Sequence, residues 1–244
     1  MKSKTFFSVL AATAMMSACC SNKECPAGND EQTDRAAISA IDCDVTLSGI
    51  HFTKCLNGAD TLVSEKDGVI RFKAEKATDY FRDPNGEVLN NAPILLTEID
   101  NTKPFTLQAR VKSGFTKGGT YNAGVLFLYQ DDLTWQKFCF EQDERGNHRV
   151  VTVRTIGTSD DNNSEIVSTQ DYVYFKYTSD TKTIGSYFSL DGKTWTMVRL
   201  YKNEYPEHLL IGLCSQCPKE DGTINEFSEL KLTLESAKDF RLGK

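Results

Sequence analysis

From about Leu47 to the C-terminus the apolar residues recur at every second position, the period of a β-strand with one face turned inward. Ala123–Tyr129 (AGVLFLY), Trp135–Gln142 (WQKFCFEQ), Arg149–Thr155 (RVVTVRT), Val173–Tyr177 (VYFKY) and Ser186–Leu190 (SYFSL) carry the clearest runs. Further strands are predicted at Val69–Ala74, Pro93–Ile99, Phe105–Lys112, Trp195–Tyr201, Leu209–Leu213 and Glu229–Leu234. No segment longer than about ten residues keeps a helical period of 3.6. Leu190–Lys193 contains Asp-Gly, which predicts a tight hairpin with a primed turn. Many short strands separated by Gly, Asp and Asn predict an all-β sandwich or barrel.

Alternation also sorts side chains by face. Within the strand from Trp135, residues Gln136, Phe138 and Phe140 share one side, and Trp135, Lys137, Cys139 and Glu141 share the other. If the phenylalanines face the core, Trp135, Lys137 and Glu141 line an open sheet surface. An indole stacks on the apolar face of a sugar ring while an ammonium and a carboxylate bond its hydroxyls. The alternative is a solvated face carrying an ordinary Lys137–Glu141 ion pair.

The first residues change the picture from fold to destination. Lys2 and Lys4 precede an apolar stretch from Phe6 to Ala18, too short to span a bilayer and suited to a signal peptide. The stretch ends in Met16, Ser17, Ala18 and Cys19. Small residues before a cysteine are what lipoprotein processing requires, so residues 1–18 are expected to be removed and Cys19 to carry the lipid. Residues 19–46 then form a lipidated cysteine and polar tether, and residues 47–244 the single β-sandwich domain. The expected location is the bacterial cell envelope, at the outer membrane, held through the lipid anchor alone.

The net charge of −6 becomes more negative by two when Lys2 and Lys4 leave with the signal. An acidic chain with scattered basic residues argues against nucleic acid as a partner. Eight cysteines are present. With Cys19 assigned to lipid, an odd number remains, and the pairing of Cys25, Cys43, Cys55, Cys139, Cys214 and Cys217 cannot be read from sequence. Cys214-x-x-Cys217 lacks the βαβ setting of a redox motif and the second ligand pair of a zinc site.

Several blocks in order resemble a known family. They are Thr78–Arg82; Ala123 and Gly124 leading to Trp135, Lys137 and Glu141; Thr155, Gly157, Ser159 and Asp160; Tyr187 and Ser189–Trp195; and Ile211–Leu213 with Ser215. The series resembles the bacterial concanavalin A-like domains of unassigned function related to the regulation-of-enolase protein. That resemblance implies an antiparallel two-sheet jelly-roll sandwich whose concave face often meets carbohydrate in the wider superfamily. Phe81 and Asp161 stand where the family usually has tryptophan, and Cys139 where it has a small residue.

Catalytic signatures are sparse. The three histidines have no metal-ligand spacing, and no G-x-S-x-G elbow occurs. For a glycosidase pair Glu141 is the best single candidate, with Asp143, Glu98 or Asp160 as partners only if tertiary structure brings them close. Asp160, Asp161, Asn162, Asn163 and Ser164 crowd oxygen ligands into one predicted loop, a candidate for structural calcium through Asp160, Asp161 and Asn162. No other cofactor is expected. The expected function is binding of an oligo- or polysaccharide by Trp135, Lys137, Glu141 and Arg154, with Tyr80 and Arg82 at the edge. The alternatives are a carbohydrate-active enzyme using Glu141 in the same cleft, and a scaffold that meets a protein partner.

Overall fold

The computed structural model describes residues 40–244, which form two antiparallel sheets and one small hairpin. The first sheet runs, in spatial order, β1 (Ile41–Leu47), β2 (Ile50–Leu56), β7 (Ile94–Asp100), β16 (His208–Gln216), β9 (Ala123–Asp131), β10 (Thr134–Gln142), β11 (His148–Ile156) and β12 (Thr158–Ile166). The second runs β15 (Thr196–Lys202), β14 (Thr183–Ser189), β13 (Val173–Ser179), β8 (Phe105–Lys112), β17 (Gly222–Thr233), β4 (Val69–Glu75) and β3 (Val63–Lys66). The hairpin pairs β5 (Tyr80–Arg82) with β6 (Val88–Asn90). This is an antiparallel two-sheet β-sandwich, as the family resemblance implied and as one of the two architectures that the strand pattern allowed.

The main core lies between the sheets. Leu126, Leu128, Phe138 and Phe140 from the first sheet meet Ile70, Phe72, Leu107, Val111 and Phe175 from the second. Phe138 stacks on Phe175 with ring centroids 3.9 Å apart. Each such ring taken fully from water contributes roughly 1.5–3 kcal/mol. Phe138 and Phe140, which alternation puts on one side of the strand, thus turn that side to the core. At Gly212 an added Cβ would lie 1.9 Å from the Leu95 carbonyl oxygen, so only glycine lets β16 run this close to β7.

A second apolar layer covers the opposite face of the first sheet. Ile94, Leu96, Val125, Phe127, Tyr129, Trp135, Cys139, Val151 and Val153 point outward there and are buried under the segment that carries β5, with Tyr80 and Ala92 in the same cluster. The face expected to be an open surface is thus closed over much of its area.

Three expectations change. The sandwich begins at Ile41, not at residue 47: Ile41, Cys43, Val45 and Leu47 alternate, and β1 pairs with β2 from Ile41↔Cys55 to Leu47↔Ile50. Residues 41–46 therefore belong to the sheet rather than to a tether. The Asp160 segment is the edge strand β12, not a loop. Its pairing with β11 sends alternate side chains to opposite faces, so Asp160 and Asn162 part from Asp161 and cannot jointly hold a calcium ion. The turn after Ser189 is longer than a two-residue primed hairpin. Only Gly192 has positive φ, and the Asp191 carboxylate accepts the N–H groups of Lys193 and Thr194.

The signal peptide, Cys19 and residues 20–39 lie outside the described residues.

Candidate functional site

Beside the buried apolar part of the first sheet's outer layer, several buried charged and polar groups gather in one place. Lys137 follows Trp135 on the same face of β10 and is 2% exposed. Its Nζ donates to Asp79 Oδ1 at 2.9 Å and to Gln216 Oε1 at 3.0 Å. Burial alone disfavours the Lys137 ammonium, but the Asp79 carboxylate beside it outweighs this and holds the lysine charged. Gln216, at the end of β16, joins the two ends of the cluster. Its Nε2 donates to the Tyr121 carbonyl oxygen at 2.9 Å and to Glu141 Oε2 at 3.3 Å.

Glu141 is 8% exposed. Burial pushes its carboxyl up to about 8; Asp79, Asp161 and Asp143 add to the rise and Lys137 opposes it. At neutral pH Glu141 is therefore a protonated acid able to donate a hydrogen bond. Asp161, two residues along β12's outward side from Ser159, stands solvent-exposed yet flanked by enough protein that lost solvation raises its carboxyl, against Lys137 and Arg199.

Two half-exposed aromatic rings border these groups. The Phe81 ring lies 5.6 Å from Lys137 Nζ. Tyr121 has its hydroxyl in the field of Glu144, Glu141 and Asp161, and burial raises its pKa first of all. Its backbone sits at φ 66°, a left-handed conformation uncommon for a bulky residue. Such strain persists where surrounding structure over-determines it, and it concentrates at ligand sites. Buried charge, a neutral carboxylic acid, two aromatic walls and a strained backbone thus meet in one place. The set suits a ligand that presents hydroxyls and a flat apolar face.

A family model matches residues 56–234, from the last residue of β2 to just past β17. The chain belongs to the family described as Protein of unknown function (DUF1349). Of curated proteins, this DUF1349 member is 25% identical over 171 residues to Regulation of enolase protein 1 of Saccharomyces cerevisiae, with 70% of this chain and 84% of that protein covered. A crystal structure of a functionally unknown protein from Saccharomyces cerevisiae superposes with a TM-score of 0.67 at 25% identity, covering 75% of this chain and 96% of that one. A mutant of the GH43 protein BlXynB from Bacillus licheniformis shares the fold at a TM-score of 0.56 and 12% identity, over 80% of this chain but 38% of that one.

Within this DUF1349 fold the residues singled out from sequence take different places. Lys137 and Glu141 are together in the cluster. Trp135 shares their face but is fully buried, not open to solvent: its ring stacks on Phe127 at 5.6 Å and meets Tyr80 edge-on at 5.2 Å. Its Nε1 donates to the Asp132 carbonyl oxygen at 3.3 Å. Tyr80 is buried with it, its hydroxyl donating to Asp132 Oδ1 at 2.7 Å. Arg82 is a clamp at the edge, with its Nε donating to the Gly157 carbonyl oxygen at 2.8 Å.

Arg154 is a correction. Lys137 and Trp135 pair with Val153 and Thr155, whereas Arg154 pairs with Gln136 and so points to the other side of the sheet. Its guanidinium lies 4.5 Å from the Tyr201 ring centroid and 3.9 Å from Glu204. The carboxylates considered as partners for Glu141 do not join it either. Asp143 is tied to Arg149 at 3.1 Å and to Asn147 in the β10–β11 turn, and it stays ionised at about 2 despite burial. Asp160 pairs with Arg199 across the sandwich interior side at 3.1 Å. Glu98 lies three strands away, roughly 20 Å or more by strand geometry, and is bonded to His208 at 2.9 Å. Among the described residues no group of three or more His, Cys, Asp or Glu could hold a metal ion.

Asp79, Gln216, Tyr121 and Phe81 complete the site. Asp79 and Phe81 fall inside a block that carried the family resemblance. Gln216 and Tyr121 gave no local signal.

Proposed function

We propose that this protein binds a saccharide at the Lys137–Glu141 end of the first sheet's outer face. Phe81 and Tyr121 would flank the sugar ring, while Glu141, Asp161 and the Lys137–Asp79 pair address its hydroxyls. The observation that carries this reading is the Lys137–Asp79–Gln216–Glu141 cluster itself. Burying these groups costs stability that apolar side chains would not, and their covered neighbours on this face, Val125, Phe127, Trp135, Val151 and Val153, are apolar. The test is a glycan array probed with the purified protein, wild type and Phe81→Ala. Phe81 is half-exposed, so its truncation leaves the fold intact while weakening a specific hit by about tenfold or more. A blank on a broad array overturns the saccharide reading and favours a protein partner.

A second reading is supported by the protonated Glu141, which has the state a general acid needs. Here Asp161 would be the other carboxylate of a glycosidase. Glycans that bind should then be scored for cleavage. Turnover lost in Glu141→Gln favours the enzyme, and binding without turnover favours the lectin-like role.

We further propose that Cys19 carries a lipid anchor that holds the domain at the bacterial outer membrane. The motif Met16-Ser17-Ala18-Cys19 behind a short apolar stretch supports it. Expressed in a bacterium that processes lipoproteins, the wild type should sediment with membranes and Cys19→Ala should be released or left unprocessed. Equal partition of the two excludes the anchor.

A further inference from the structure

We propose that Cys43 and Cys55 form a disulfide that locks the first hairpin of the sandwich when the protein meets an oxidising compartment. Among the described residues β1 is the edge strand of the eight-stranded sheet and pairs with β2 alone. β2 in turn is held to β7 by three residue pairs, Lys54–Leu56 with Leu96–Ile94. A bulge between Asp42 and Val45 shifts the register of β1, and Cys43 lies within it. Cys55 is fully buried in the main core, and Cys43 packs against the same core half-buried. Cys55 pairs with Ile41, and Cys43 lies two residues beyond Ile41 with its side chain in the same core, so the two free thiols are diagonal neighbours across the hairpin. Cys43 Sγ also donates to the Phe52 carbonyl oxygen, and Cys55 Sγ to Asp60 Oδ1, both at 3.6 Å.

The other described cysteines have no such partner. Cys139 and Cys214 both pair with Val125 from opposite sides, which places them two strands apart, roughly 9–10 Å. That exceeds the span a disulfide bridges. Cys214 and Cys217 are three residues apart in extended chain, again too far.

The position explains the use. Ile41 and Asp42 are the only residues of β1 before Cys43, so the bond would sit at the open end of the hairpin, beside the chain arriving from the N-terminus. A pull on that chain peels an edge strand pair by pair from this end. A covalent link at the first pairs stops the peeling before it starts.

The chemistry needs an oxidant, here a disulfide such as oxidised glutathione. The Cys43 thiolate attacks one sulfur of the oxidant, forming a mixed disulfide and expelling one glutathione thiolate. The Cys55 thiolate then attacks Cys43 Sγ, expelling the second. Two electrons pass to the oxidant, which leaves as two thiols. Burial pushes the Cys43 thiol up to about 12, with Cys55 adding to it. So the bond forms slowly at neutral pH and faster as pH rises, as a structural link and not a redox-active one.

The full-length protein should be equilibrated with reduced or oxidised glutathione, alkylated and digested with trypsin. Cleavage after Lys54 puts Cys43 and Cys55 on separate peptides, so their bond appears as one linked pair that falls apart on reduction. We expect that pair in the oxidised sample, with Cys139 and Cys214 unlinked. The oxidised protein should melt about 5–10 °C above the reduced one, and Cys43→Ser/Cys55→Ser should abolish the difference. Alkylated Cys43 and Cys55 in the oxidised native protein, or Cys43 linked to Cys20 or Cys25, overturns the proposal.

Discussion

Trp135→Ala is expected to cost about 3–5 kcal/mol of stability and to lower the melting temperature by roughly 10–15 °C. The indole is fully buried, stacked on Phe127 and met edge-on by Tyr80. Truncation leaves a cavity lined by those rings, Tyr129 and the sheet, which relaxes only partly because the layer beneath is close-packed. It also removes the N–H that meets the Asp132 carbonyl oxygen. The loss would spread to function through Tyr80. That ring and its hydroxyl bond to Asp132 anchor the segment that carries Asp79 and Phe81. Saccharide binding should therefore fall in this variant, but together with the melting temperature, and Trp135→Phe should restore most of both. Thermal unfolding followed by circular dichroism reads the first effect. A melting temperature within about 2 °C of wild type would show that Trp135 is not packed as described, and a loss of binding without a loss of stability would return it to direct contact with the sugar.

The contrast between Trp135 as a surface platform and Trp135 as core shows where the sequence was legible. Period two identified β8 to the residue and β9, β10, β11 and β13 nearly so, because each has one face against the main core. The same alternation placed Lys137 and Glu141 on one side of β10. What it could not give was the cover over that side. A signal was present in Ala123–Tyr129, which is apolar at consecutive positions and not only at alternate ones. A continuous apolar run is how a strand buried on both faces reads, and β9 is buried on both. The segment from Thr78 to Ala92 that supplies the cover has only two three-residue strands, too short for a pattern.

β12 was hidden for a different reason. Its sequence, TSDDNNSEI, holds the residues that strands avoid, because an edge strand with little core contact gains more from polar side chains that resist further pairing. Arg154 was misplaced by register alone. A strand's own alternation says which side chains agree, but only pairing to a neighbour says which face they share with that neighbour. Gln216 and Tyr121 reach Glu141 across 75 and 20 residues of chain, and no spacing rule connects them.

Glu141→Gln is expected to remove a pH dependence of stability that the wild type shows between about pH 4.5 and 8. The folded carboxyl is raised to about 8, chiefly by burial, from an ordinary value of 4.5. Below 4.5 both folded and unfolded chains hold the proton, and the group contributes no difference. As pH rises past 4.5 the unfolded chain ionises while the folded one stays protonated, so the unfolded state gains and stability declines. Above about 8 the folded chain ionises too and the decline stops. The stabilising influence of the proton is thus full at low pH and lost as pH rises through the folded value. At 1.36 kcal/mol per pKa unit the total is on the order of a few kcal/mol. Glutamine has the shape of the protonated acid and carries no charge, so it should match the wild type near pH 4.5 and exceed it at pH 8.5. Urea unfolding across that range measures the gap directly. Parallel curves for the two proteins would place Glu141 in water with an ordinary carboxyl, and the reading of the cluster as a buried acid beside Lys137 and Gln216 would fall with it.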